Sequence, residues 1–135
     1  MSIFFVVGTR PEAIKVLPLV RRLKAVDNNV FLCSTNQQPE LLAQFFGAIK
    51  FWPDFELPSL PAGRDLAELT AFLVSELTAF FRKHHPGAIF VHGDTATTFS
   101  ASLAAFYAQI PVFHLEAGLR TGNLSSPFPE EMNRK

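Results

Sequence analysis

"IFFVVGTRPEAIKVLPLV", residues 3–20, carries two structural signals in succession. Residues 3–8 are a continuous apolar run stopped by a glycine, the pattern of a strand buried on both faces. Thr9 and Glu12 have capping-box spacing, and Pro11 falls in a first helical turn, where its missing N–H costs nothing. A helix over about residues 10–25 is predicted, with Ile14, Leu17, Val20 and Leu23 as its apolar stripe. Pro18 lies inside it and is expected to kink it. A buried strand running directly into an amphipathic helix is the opening of an α/β unit.

The same alternation continues along the chain. "VFLCST", residues 30–35, reads as a second buried strand, and a short helix begins near Pro39. Residues 51–64 hold prolines without helical period and read as loop with one short strand. Residues 65–84 form a long amphipathic helix with Leu66, Leu69, Phe72, Leu73, Leu77 and Phe80 inward. "GAIFVHGD" (87–94) is a strand ending in His-Gly-Asp, and residues 95–109 are a helix of small residues that packs closely on a sheet. "IPVFHLE" (110–116) is a further strand, followed by a Gly/Ser/Pro loop and a helix starting near Pro129. Strand and helix alternate about four times. That order predicts an α/β fold, a Rossmann-like three-layer domain with a parallel sheet. No linker divides the chain, so residues 1–135 count as one domain.

Composition narrows the function classes. With 135 residues and 48% apolar content, including 15 phenylalanines, the chain has enough material for one real core. Twelve basic residues balance twelve acidic ones, which argues against nucleic-acid binding by bulk electrostatics and leaves room for a small anionic ligand. A single cysteine, Cys33, excludes an intramolecular disulfide and argues against a zinc cluster; it reads as a buried strand residue. The first residues have no basic n-region, and their apolar run is too short for a signal peptide or a membrane span. A cytoplasmic protein with no membrane association is the expectation.

In open parallel sheets ligands bind at the carboxyl ends of the strands. Three predicted strands end in polar residues: "GTR" (8–10), "HGD" (92–94) and "HLE" (114–116). Strand alternation tends to place His92 with Asp94, and His114 with Glu116. Three readings stay open for these pairs. They are acid–base groups for a substrate above the sheet edge, or ligands of a divalent ion. Or Asp94 caps the next helix and the histidines are satisfied core residues. Arg10 and Lys15 start the first helix, where backbone N–H groups also favour an anion. Neither GxxxxGK[ST] nor GxGxxG is present, so no common nucleotide loop supports that segment. Glu130 and Glu131 follow Pro129 in a first helical turn, where negative charge is favoured. Adjacent helical residues point about 100° apart, so at most one of them faces a cleft. Arg120 and Arg134 pair with a substrate or with these acids, surface pairing being the expectation for Arg134.

Three ordered stretches, "GTRPEAIKVLPLV", "VHGDTATTFSASLAAFYAQIPV" and "HLEAGLRTG…SPFPEEMNR", resemble the amino-terminal domain of the non-hydrolysing UDP-N-acetylglucosamine 2-epimerases. The resemblance runs from end to end and is weakest between residues 47 and 86. It implies the N-terminal half of a two-domain GT-B fold, with the active site between domains and the carboxy-terminal domain absent from these 135 residues. It implies interconversion of UDP-GlcNAc and UDP-ManNAc by elimination and re-addition of UDP, with no metal and no redox cofactor, in a homodimeric full-length enzyme. The acidic active-site positions match Asp94, Glu116 and Glu130; Arg10, Lys15, His92 and Arg120 fall beside the substrate. The resemblance favours acid–base chemistry over metal binding. The isolated chain is expected to be inactive, because the family's second domain holds most of the UDP. The hydrolysing relatives, which release ManNAc and UDP, and a non-catalytic sugar-nucleotide-binding fragment are the alternatives.

Two departures stand out. The family shows Gly-Gln-His-Arg-Glu after the second strand, a region that binds an activating second UDP-GlcNAc in regulated members. Here the stretch is "NQQPE": Gln37 keeps the glutamine, Gln38 replaces the histidine and Pro39 the arginine. Altered or absent allosteric activation is the expectation. Asn123 stands where aspartate is frequent.

Overall fold

The computed structural model describes residues 1–135. Its elements follow the predicted order: β1 (Ile3–Val7), α1 (Arg10–Lys24), β2 (Val30–Ser34), α2 (Pro39–Ile49), β3 (Phe55–Glu56), α3 (Leu66–His84), β4 (Ala88–His92), α4 (Ala96–Tyr107), β5 (Val112–Leu115) and α5 (Glu130–Asn133). All pairings are parallel, and the strands lie in the order β3-β2-β1-β4-β5. β1 is therefore central, which is why its whole run is apolar. No helix is long and apolar enough to cross a membrane.

Period-two alternation divides the strand residues between two cores. Phe5, Val7 and Leu32 meet Ala13, Val16 and Val20 of α1 and Leu42 and Phe46 of α2. Phe4, Val6, Cys33, Ile89 and Val91 face the other way, onto α3 and α4. Ala101, Ala104 and Ala105 of α4 are fully buried; their small side chains bring α4 close to the sheet, as its composition predicts. Cys33 is also fully buried, and burial pushes its thiol up to about 12.

Two helix stripes differ from the sequence reading. In α1 the buried face is Ala13, Val16, Leu17 and Val20, while Ile14 is 49% exposed. The predicted stripe advanced in steps of three, and each such step slips about 60° around a helix of 3.6 residues per turn. α1 runs through Pro18, which faces solvent. In α3, Leu73, Leu77, Phe80 and Phe81 are buried, whereas Leu66 is exposed at the first turn.

The strand ends are tied together by polar contacts. Gly8 has no room for a side chain: a Cβ there would lie 1.9 Å from Thr97 Oγ1 and 2.5 Å from Thr35 Oγ1. That space holds the Thr35–Thr97 hydroxyl contact of 2.8 Å. Glu12, 2% exposed, accepts the N–H groups of Gly8 (3.0 Å) and Thr9 (2.8 Å) and the hydroxyls of Thr9 (2.8 Å) and Thr95 (2.7 Å). The Thr9–Glu12 contact is the one the capping-box spacing predicts; the Thr95 contact joins the start of α1 to the start of α4.

Candidate active site

Because the sheet is parallel, the ends of β1, β4 and β5 open on one side. A cleft of about 490 Å³ lies there, and Lys15, His92, Asp94, Glu116, Glu130 and Arg134 are among its lining residues. Gln37 and Gln38 reach the same wall. Of the residues singled out from sequence as site candidates, Arg10, His114, Arg120 and Glu131 lie outside this lining. Arg10 is exposed. Arg120 spends its guanidinium on backbone carbonyls: Nη1 donates to Ala117 (2.6 Å) and Leu119 (2.7 Å), and Nη2 to Arg134 (2.9 Å).

Glu116 follows the last residue of β5 and adopts a left-handed backbone, φ 55°, an uncommon conformation for a residue with a side chain. The turn sends its carboxylate back across the cleft. Lys15 Nζ donates to both oxygens at 2.7 Å, and His92 Nε2 lies 3.2 Å from Oε2. The Lys15 hydrogen bond is the main reason that the carboxyl sits below its ordinary range; the positive charge of Lys15 and the His92 contact add to it.

The two histidine–carboxylate pairs expected within strands do not form. β4 ends at His92, and Gly93 turns left-handed with φ 70°. Alternation stops there, and Asp94 leaves the face of His92. His92 instead pairs across the sheet with Glu116, and His114 Nε2 meets the Gly93 carbonyl. Asp94 is also not the cap of α4. Thr95 is, its hydroxyl accepting the Thr98 N–H at 3.1 Å.

Asp94 is held by the last helical turn. Arg134 donates to its Oδ2 from Nε (2.9 Å), with Nη2 in ion-pair contact at 2.6 Å, and Asn133 Nδ2 donates to its carbonyl (2.8 Å). Surface pairing was the expectation for Arg134; its side chain is only 8% exposed. α5 turns it inward because the short helix packs its Glu131 and Asn133 side against the body of the domain. The i,i+3 spacing of Glu131 and Arg134 was a readable sign of their pairing. The neighbouring acids separate as helical geometry requires. Glu130 lines the cleft and its carboxylate accepts no hydrogen bond from the chain, whereas Glu131 is fully buried.

Gln37 and Gln38 do different work. The Gln37 carbonyl oxygen accepts the Thr97 N–H (3.1 Å) and hydroxyl (2.8 Å), which anchors it to the start of α4. Gln38 precedes α2, donates its N–H to the Gly8 carbonyl at 2.9 Å, and buries an Oε1 that has no partner. Asn123 Oδ1 accepts the Ser125 N–H at 3.0 Å, a turn contact that aspartate makes equally well.

A profile of the UDP-N-acetylglucosamine 2-epimerase family matches residues 21–135. The UDP-N-acetylglucosamine 2-epimerase of Salmonella borreze is 47% identical over 138 residues, covering 99% of this chain and 36% of its own length. That of Bacillus subtilis is 47% identical over 136 residues, covering 100% and 36%. A crystal structure of UDP-GlcNAc 2-epimerase from Neisseria meningitidis bound to UDP-GlcNAc is similar with a TM-score of 0.90 and 45% identity, over 99% of this chain and 37% of that one. The chain thus spans about a third of the length of the curated relatives it matches. The Rossmann-like α/β fold read from the sequence is the one these GT-B enzymes show over the matched region. Fold, profile and identity agree, and the chain belongs to the UDP-N-acetylglucosamine 2-epimerase family.

Proposed function

We propose that residues 1–135 form the amino-terminal acid–base domain of a non-hydrolysing UDP-GlcNAc 2-epimerase, and that the whole protein interconverts UDP-GlcNAc and UDP-ManNAc as a cytoplasmic homodimer. The observation that carries this reading is the gathering of Asp94, Glu116 and Glu130 around one cleft with Lys15 and His92. In the proposed reaction a carboxylate removes the C2 proton, the C1–O bond to UDP breaks with its electron pair leaving on the diphosphate, and a C1–C2 double bond forms. Return of UDP to C1 and of a proton to the opposite face of C2 gives the epimer. Such a step needs a base within hydrogen-bond reach and positive partners for the leaving group. Glu130 suits proton transfer, since Asp94 and Glu116 already carry fixed cationic partners while Glu130 has none. Lys15, half exposed beside the cleft, is the cation placed to meet a diphosphate.

The test is NMR of the reaction in D₂O with the whole protein and with the 135-residue chain alone. The expected result is UDP-ManNAc deuterated at C2 from the whole protein and no turnover from the chain. Free ManNAc with UDP assigns the hydrolysing class instead, and normal turnover by the chain overturns its proposed inactivity. We further propose that activation by a second UDP-GlcNAc is altered or absent, because Gln38 and Pro39 replace histidine and arginine and Gln37 is tied to Thr97. Strong activation of the reverse reaction by added UDP-GlcNAc would sink that part.

A further inference from the structure

Glu131 and Arg134 are buried charged residues for which the proposed reaction has no direct use. Glu131 is fully buried, yet its oxygens reach outward to the exposed loop before it: Oε2 accepts the Thr121 N–H at 3.0 Å and Oε1 the Gly122 N–H at 3.1 Å. These backbone donors, Thr121 first, together with Arg134 hold the carboxyl below its ordinary range. The same Oε2 accepts from Arg134 Nη1 at 3.1 Å. The far side of that guanidinium grips Asp94 through Nε and Nη2. One planar cation, 8% exposed, therefore has a cleft carboxylate on one edge and the anchor of a surface loop on the other.

We propose that Arg134 is a positioning residue that couples the Asp94 carboxylate to the loop at 117–125 through Glu131. A guanidinium suits this role because its donors lie in a rigid plane, so a shift at one edge moves the other. A flexible ammonium would not transmit it. Arg134 fixes only Oδ2 of Asp94, and Oδ1 has no partner within the chain. Asp94 is thereby aimed and still has a free oxygen. Energetic coupling is reciprocal, so a ligand that orders the loop also orders Asp94. The second tie between loop and helix, from Arg120 to the Arg134 carbonyl, uses backbone and survives any substitution of the Arg134 side chain. Only the role given to Asp94 rests on the proposed epimerase chemistry.

The experiment needs no activity. Amide hydrogen exchange is followed by NMR in the 135-residue chain at Thr121 and Gly122, relative to Phe5 and Ile89 in the buried strands, for wild type, D94A, R134A and the double variant. D94A is expected to speed exchange at Thr121 and Gly122 by about fivefold or more while the strand amides stay protected. The double variant is expected to match R134A, since Asp94 acts on the loop only through that side chain. Wild-type exchange at both amides in D94A, with strand protection intact, overturns the proposal, as do effects of D94A and R134A that simply multiply. If R134A fails to fold, the D94A measurement decides by itself. A failed coupling leaves the epimerase reading standing, and an inactive whole protein leaves the coupling standing.

Discussion

At the residue scale the Lys15–Glu116 pair has the clearest consequence. Lys15 binds both carboxylate oxygens, and Glu116 falls below its ordinary value of 4.5, with the Lys15 hydrogen bond as the main cause. A depressed carboxyl contributes stability above its unfolded pKa and loses it as pH falls through the lower folded value. Both side chains are at least half exposed, so solvent screens the pair and little stability is at stake. The effect is one of charge state: the Lys15 pairing favours the ionised carboxyl. K15M is expected to return the Glu116 titration toward 4.5, read by carboxyl NMR of the chain. Equal midpoints in K15M and wild type would show that His92 and the turn, not Lys15, set the charge. His92 and Glu116 were both legible as candidates from strand-end position. Their contact was not, because it depends on Gly93 and Glu116 both turning left-handed.

At the element scale the start of α1 and the start of α4 are joined through Glu12. Burial pushes this carboxyl above its ordinary range, and the hydroxyls of Thr95 and Thr9 and the N–H groups of Gly8 and Thr9 pull against burial. The net rise means that the folded state holds the proton more tightly than the unfolded chain. This group's contribution to stability is therefore greatest below its unfolded pKa and falls as pH rises through the folded value. E12A removes the charge and both acceptor oxygens. The buried N–H groups of Gly8 and Thr9 then lose their acceptor. An orphaned buried donor costs about 1–3 kcal/mol, which outweighs relief of the burial penalty. E12A is expected to lose about 2 kcal/mol at neutral pH by urea denaturation. An unchanged midpoint would show that the loops adjust without this carboxylate. The capping-box spacing predicted that Glu12 turns back to Thr9. Its second role was hidden because Thr95 lies 83 residues away.

At the scale of the whole molecule, the β5 side of the sheet is open. β5 is an edge strand, with Val112 36% and Phe113 50% exposed, and Phe106 and Tyr107 stand out at the end of α4. The rings of Phe5, Phe90 and Phe113 stack across β1, β4 and β5 at 4.7 and 4.8 Å, carrying an apolar row from the core into solvent. An exposed apolar edge is a template for pairing with another chain. The 135-residue chain is expected to associate with rising concentration in sedimentation velocity, and F113K to suppress this. A wild-type chain that stays monomeric across the range contradicts the expectation. The sequence leaves the place of "IPVFHLE" in the sheet open, since an apolar strand looks alike at the centre and at the edge. Only the strand order shows which one it is.

The local pattern of the chain was sufficient for its elements, its α/β class and the side of the sheet where chemistry collects. Strand–glycine–helix boundaries, caps and apolar runs are short-range properties, readable without tertiary contacts. The polar strand ends at Thr9, Asp94 and Glu116 marked the cleft for the same reason. The wiring of that cleft came from long-range packing. Lys15 meets Glu116 across 101 residues, Arg134 meets Asp94 across 40, and Gln37 meets Thr97 across 60. Residue spacing carries no record of such distances, since they depend on strand order and on how the turns after β4 and β5 aim their side chains. The burial of Arg134 is the sharpest case: a charge at the edge of a short helix reads as surface until Asp94 and Glu131 close around it.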